Sequence, residues 1–194
     1  GMHKNYLRVY RSGSMCKTNQ LVLYDYQKSR KADAPQEFLS DFDGKLVCDG
    51  YQVYHTLENR EDTNFKVAGC WAHARRPFAQ VYRSLGEEKA AGTVAAEAFV
   101  QIQNIYHTDN RLLKLPPSER KKRRKTLVKP LVDTFFEWCR NSIDRVPPSS
   151  ETADGIKYCI NQEKYLRVFL DDPQIPLDNN LAEQSIRPFC VGKK

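Results

Sequence analysis

Apolar positions change their spacing several times along the chain, and each change marks an element. Tyr6-Leu7-Arg8-Val9-Tyr10 alternates with period two, a loop containing Gly13 follows, and Gln20-Leu21-Val22-Leu23-Tyr24 repeats the pattern. The two runs predict a hairpin. Asp33-Ala34-Pro35 then reads as a helix start with proline in the first turn, with Phe38, Leu39 and Phe42 as its apolar stripe and Gly44 as its stop. Lys45-Leu46-Val47-Cys48 is a short apolar run closed by Asp49-Gly50, and Tyr51, Tyr54 and Leu57 carry helical spacing. Phe65 to Ala72 shows no alternation, the mark of a strand buried on both faces. Strand, helix, strand, helix, strand is the order of an α/β sheet with crossovers.

From Trp71 the period becomes helical. Phe78, Val81, Tyr82 and Leu85 follow the i, i+3, i+4, i+7 rule, Gly86 ends them, and Pro77 marks a first turn or a kink. Val94, Ala98, Ile102, Ile105 and Tyr106 predict a longer helix, broken at Pro116-Pro117-Ser118, where Ser118 can cap the next. That next segment opens on the basic run 119–125 and continues through Leu131, Phe135, Trp138 and Cys139, with Pro130 kinking or restarting it. Pro147-Pro148-Ser149-Ser150 reads as a linker. Ile156 to Leu170 predicts one or two further helices, and Asn180 to Arg187 a last one ended by Pro188. No internal repeat or low-complexity tract occurs.

Composition narrows the class. The 194 residues are 40% hydrophobic and 11% aromatic, which is ample for a core and excludes general disorder. No apolar run approaches the ~20 residues of a membrane span, and the start has no signal-peptide pattern. A net charge of +7 favours an acidic partner, with phosphate backbones first and plain solubility as the bland explanation. Six scattered cysteines without a Cys-x-x-Cys pair read as small buried hydrophobes rather than a disulfide framework.

The candidate chemistry lies in a few places. Asp49 ends an apolar strand, where ligands of α/β sheets bind, although Asp-Gly is also an ordinary turn. Glu183 lies in Leu177-Asp178-Asn179-Asn180-Leu181-Ala182-Glu183-Gln184-Ser185-Ile186-Arg187-Pro188. There Asn180 and Glu183 have capping-box spacing, while Glu183 and Arg187 share a face at i, i+4. Cys70 and His73 have the spacing of half a zinc site, without a second pair to complete it. His73, Arg75 and Arg76 form a basic cluster able to grip a phosphate, or simply a surface cluster. Lys121, Lys122, Arg123 and Arg124 are candidates for DNA backbone contact, or for a solvated helix face.

Four stretches together are similar to the catalytic domain of the insertion sequence 66 family of bacterial transposases. They are Tyr24 to Arg30, Cys48 to Tyr54, Gly69 to Arg76 and Leu177 to Pro188. The resemblance implies a ribonuclease H-like α/β core with an all-helical insertion. Residues 2–85 would begin the core, 86–148 form the insertion, and 149–194 return to the core with the final glutamate. It makes Asp49 and Glu183 two members of an Asp-Asp-Glu set binding Mg²⁺ or Mn²⁺ for DNA strand cleavage and transfer. His73, Arg75, Arg76 and Arg187 would lie near phosphates. In the family the first aspartate is on a strand upstream of Tyr6 to Tyr10, so the expected core lacks its first strand and binds metal weakly. Expected partners are transposon ends and target DNA, a second copy, and other transposon-encoded proteins, at the nucleoid in the cytoplasm. The competing expectation is a non-catalytic DNA-binding remnant of such an element.

Overall fold

In this computed structural model residues 6–13, 15, 20–28 and 33–191 are described, with 186–191 as backbone only. The hairpin forms as its alternation predicts. Strand β1 (Tyr6–Arg11) pairs antiparallel with β2 (Val22–Gln27), Arg8 opposite Asp25, and these two make an ion pair at 3.5 Å. Helix α1 (Asp33–Phe38) leads into β3 (Asp43–Cys48), α2 (Gln52–Glu58) and β4 (Asn64–Gly69). β3 and β4 are parallel with Leu46 opposite Val67, so α2 is the crossover of a βαβ unit. β4 is buried on both faces only from Val67 onward; Asn64 and Lys66 are exposed.

The expectation of one sheet is corrected. The described strands form two separate two-stranded sheets, β1–β2 and β3–β4. Side chains rather than a backbone ladder tie the hairpin to its surroundings. Tyr10 stacks on Phe38 with ring centroids 4.2 Å apart, and the Tyr54 hydroxyl donates to the Tyr10 hydroxyl at 3.4 Å. The architecture is therefore mixed α/β, with small sheets and a helical majority.

The helices are α3 (Trp71–Leu85), α4 (Glu87–Ala90), α5 (Val94–Asn110), α6 (Pro117–Arg123), α7 (Lys129–Ser142), α8 (Glu151–Leu166) and α9 (Asn180–Val191). Thr93 and Ser150 cap α5 and α8, their hydroxyls accepting from Ala96 N at 3.2 Å and Ala153 N at 3.1 Å. Three boundaries differ from the sequence expectation. Pro117 rather than Ser118 opens α6, because proline needs no N–H partner in a first turn. Pro77 sits in the middle of α3, and α9 continues past Pro188 to Val191. Between α6 and α7 the chain widens into a π turn, Arg124–Val128. Pro130 lacks an N–H and its ring would clash with the Thr126 carbonyl of an α-helix, so the wider turn accommodates it.

One apolar cluster runs from Ala68 of β4 through α3, α5, α7 and α8, with Trp71, Phe78, Phe135 and Phe136 at its centre. A smaller cluster of Leu39, Cys48, Leu57, Phe65 and Val67 lies beneath α1 and α2. The fully buried Trp71 donates its indole N–H to Leu166 O at 2.9 Å, fixing the start of α3 to the end of α8. Among the described residues no helix is long and apolar enough to cross a membrane.

Candidate functional site

Asp49 directly follows the carboxyl end of β3. Its Oδ1 accepts from Tyr51 N at 3.2 Å, an Asx turn into α2. Its carbonyl accepts from the Tyr158 hydroxyl of α8 at 3.1 Å. Gly50 next to it has φ +82°, and a Cβ there would lie 3.0 Å from Tyr158 Oη and 3.3 Å from Gln162 Cδ. Only glycine combines this backbone angle with so close an approach. α8 thus buttresses the end of β3.

Glu183 is delivered by an irregular strap that follows a 3₁₀ turn (Val168–Leu170) and ends at α9. Leu177 O accepts from Trp71 N at 2.8 Å. Asp178 accepts from the Tyr106 hydroxyl at 2.9 Å and from Asn180 N at 3.1 Å. Asn179 Oδ1 accepts from the Cys70 thiol at 3.0 Å, and Asn179 O accepts from Ala182 N and Glu183 N. The capping box is therefore not formed: Asp178 serves the N-terminal amide and Asn180 is already helical. This leaves the Glu183 side chain to meet α3, with Oε1 3.3 Å from His73 Nε2 and Oε2 3.3 Å from Arg76 Nη2.

His73 lies in the first turn of α3, two residues after Trp71, and faces Glu183. Its pKa is lowered by burial and by the Arg76 charge, against opposing pulls from Glu183 and from Asp49. The imidazole is thus held toward its neutral form while lying in the field of both acids. Its Nδ1 is buried without a protein partner. Arg76 is half exposed and completes the group with a positive charge open to solvent.

The other sequence candidates scatter. Arg75 turns to α5, its guanidinium 5.3 Å from the Phe99 ring centre and 5.7 Å from that of Tyr106. The Arg187 side chain lies outside the described residues. Lys121, Lys122 and Arg123 are exposed on α6, Arg123 pairing with Glu119 at 2.9 Å. Arg124 requires correction as a backbone-contacting residue. It is fully buried, paired with Asp109 through two bonds of 2.7 and 2.9 Å, and bonded to three main-chain carbonyls. All three of its nitrogens are engaged and none reaches solvent, so it cannot contact a phosphate backbone.

Sequence reasoning missed Tyr106 and Arg120. Tyr106 looks like one more member of an apolar stripe until its hydroxyl is seen on Asp178, and burial raises its pKa far above the usual phenol range. Nothing among the described residues completes Cys70 and His73 into a zinc site. Burial pushes the Cys70 thiol up to about 11, and its proton is engaged by Asn179. Cys48, pushed up to about 12, is likewise an inert buried thiol. No group of three or more His, Cys, Asp or Glu residues placed to hold a metal occurs among the described residues.

Comparison with known proteins gives this geometry a context. Three proteins of Sinorhizobium fredii (strain NBRC 101917 / NGR234), named only as uncharacterized, are similar to the chain. Protein y4qI is 27% identical over 179 residues, covering 90% of this chain and 32% of its own length. Proteins y4hP and y4jD are 26% and 28% identical, each over 89% of this chain and 33% and 34% of their own lengths. The chain thus spans about a third of these curated relatives. No solved structure matches it. The family model described as "Transposase IS66 family" matches residues 1–194, end to end, and the chain belongs to the IS66 transposase family.

Proposed function

We propose that this chain is part of the catalytic core of a metal-dependent DNA transposase, with Asp49 and Glu183 as carboxylate ligands of Mg²⁺ or Mn²⁺. The observation that carries the proposal is that Asp49 follows Cys48 of β3, whose register partner Gly69 leads through Cys70 into α3. There His73 pairs at 3.3 Å with Glu183, 134 positions away from Asp49 in sequence. The donor set suits the ion. Mg²⁺ is commonly held by one or two carboxylates, with waters and substrate phosphates filling the remaining positions. Bound divalent metal would supply Lewis acidity for in-line displacement at phosphorus.

The protein's own groups have separate tasks. His73 and Arg76 hold the Glu183 carboxylate in place, and the Arg76 guanidinium offsets its charge. Arg76, exposed beside Glu183, is positioned for a DNA phosphate. Lys121, Lys122 and Arg123 offer a further backbone contact from α6. Tyr158 and Gly50 keep Asp49 at the strand end. We further propose a ribonuclease H-like organisation. The parallel β3–α2–β4 unit, with Asp49 directly after β3, supports it. Residues 86–148 would then be the helical insertion, the partners transposon-end and target DNA, a second copy and other transposon-encoded proteins, and the setting the bacterial cytoplasm.

Isothermal titration with Mn²⁺ tests the assignment. Weak binding by the wild type that D49A and E183A each abolish is expected, and unchanged titrations in both variants would refute it. The ion pairs of Glu183 favour a second reading, a DNA-binding remnant in which that carboxylate is only a structural counter-ion. It predicts salt-sensitive DNA binding with no nicking at any metal concentration.

A further inference from the structure

The basic run of α6 hides two arginines that face inward. Arg120 and Arg124, at i, i+4, are both buried, and each spends its guanidinium on main-chain carbonyls rather than on solvent. Arg124 Nη1 donates to Phe169 O, Asp172 O and Ile175 O at 2.8, 2.9 and 3.0 Å, while its other two nitrogens grip Asp109. Arg120 donates to Pro173 O at 2.8 Å, and to Leu112, Leu113 and Leu115 O at 3.2, 2.7 and 3.0 Å. Four carbonyls of the segment 169–175, which includes the end of the 3₁₀ turn, are therefore held by two side chains, one from α6 and one from the π turn that follows it.

A buried guanidinium is costly unless its donors are matched, and replacing it with an apolar side chain is often neutral or better for stability alone. Here the donors are matched to the segment that leads to Glu183. Downstream of the arginines the same segment is fixed by Trp71 N on Leu177 O, Tyr106 on Asp178 and Cys70 on Asn179. No regular secondary structure supports it between the 3₁₀ turn and α9, so these bonds, with Ile175 and Leu177 buried in the main apolar cluster, set its path.

We propose that Arg120 and Arg124 are positioning residues, which hold the strap from Phe169 to Asn179 on the path that brings Glu183 to His73 and Arg76; the functional consequence rests on Glu183 being a metal ligand. The Asp109 carboxylate orients Arg124 by its two-point grip. Lysine in its place has one compact ammonium and cannot span Asp109 and three carbonyls together.

The test uses thiol labelling of the folded chain with N-ethylmaleimide, mapped cysteine by cysteine. Cys70 lies under the strap, whereas Cys139 and Cys159 lie in the main apolar cluster and report on the fold as a whole. R124K is expected to speed Cys70 labelling at least tenfold while Cys139 and Cys159 stay as protected as in the wild type. Unchanged Cys70 protection overturns the proposal. If all three thiols open together in R124K, the comparison passes to R120K, which withdraws only Pro173 from the strap's anchors. A joint opening there too overturns the proposal, because the arginines would then be supporting the whole core. Mn²⁺ titration of the same proteins separates the two ideas. A wild type that binds no Mn²⁺ sinks the metal assignment and leaves the labelling result standing. An R124K that opens Cys70 yet binds Mn²⁺ as the wild type does refutes the positioning of Glu183.

Discussion

Replacing Gly155 with alanine presses on the contact that joins the two main helices behind the site. Gly155 is buried in the first half of α8, and a Cβ there would stand 2.9 Å from Phe78 Cζ, 3.0 Å from Phe78 Cε1 and 3.1 Å from Pro77 Cβ. Relaxed carbon–carbon contacts lie at about 3.5–4.0 Å, so about half an ångström must be found. Neither neighbour can supply it cheaply. Phe78 is fully buried among the core aromatics, and the Pro77 ring is rigid within α3. Alanine gains about 1 kcal/mol over glycine as a helix former, while overpacking costs about 1–3 kcal/mol. The balance is a loss of about 1 kcal/mol, or about 2–4 °C in Tm for a chain of this size. Urea unfolding followed by Trp fluorescence measures it. A G155A protein more stable than wild type by the helix-propensity gain would show that α3 and α8 are free to separate, and the reasoning would fail. Since α8 also carries Tyr158, whose hydroxyl holds the Asp49 carbonyl, the same displacement reaches the candidate site.

Two further outcomes follow from charge. His55 and His73 are both lowered by burial, so the unfolded chain takes up protons first. Stability is then full above the unfolded value of about 6.5 and falls as pH drops below it. His55 lies in the field of Glu58, Lys164 and Asp49 and stacks on Tyr165 with ring centroids 3.9 Å apart. H55F should keep that stack and flatten the profile between pH 7.5 and 5.5, and equal wild-type stability at those two pH values would contradict this. On DNA, K121A and K122A should each lower the salt-dependence slope by about one where the lysine meets a phosphate. R124Q should leave the slope unchanged, because Arg124 is buried and its charge meets no phosphate. A slope that drops in R124Q as it does in K121A would contradict that burial.

Several features were legible from local pattern alone. The period-two runs at Tyr6 and Val22 form the hairpin, and the change of period at Trp71 is where α3 begins. Glycine and proline punctuation placed most boundaries within a few residues. It failed at Pro77 and Pro188, where the helix carries the proline through its interior. The run Lys121-Lys122-Arg123-Arg124 shows a second limit. Four like charges in a row give no sign of which is turned inward. Only α5 and the strap, both distant in sequence, supply the Asp109 carboxylate and the carbonyls that make burial of Arg124 tolerable. The same holds for Glu183, whose capping-box spacing was real but whose side chain went to His73 and Arg76, because Asp178 already served the helix amide.

The sequence by itself determined which segments become strands and helices, because propensity, periodicity and turn chemistry act within a few residues. Its four motif stretches also determined the family, since they recur in order at long separations. Only the tertiary structure decided that the described strands form two pairs rather than one sheet, that Arg120 and Arg124 bond main-chain carbonyls rather than face solvent, and that Glu183 pairs with His73 and Arg76 of α3. Each of those outcomes depends on groups far apart in the chain exchanging water for one another, and no local pattern records which partner a buried polar group will find.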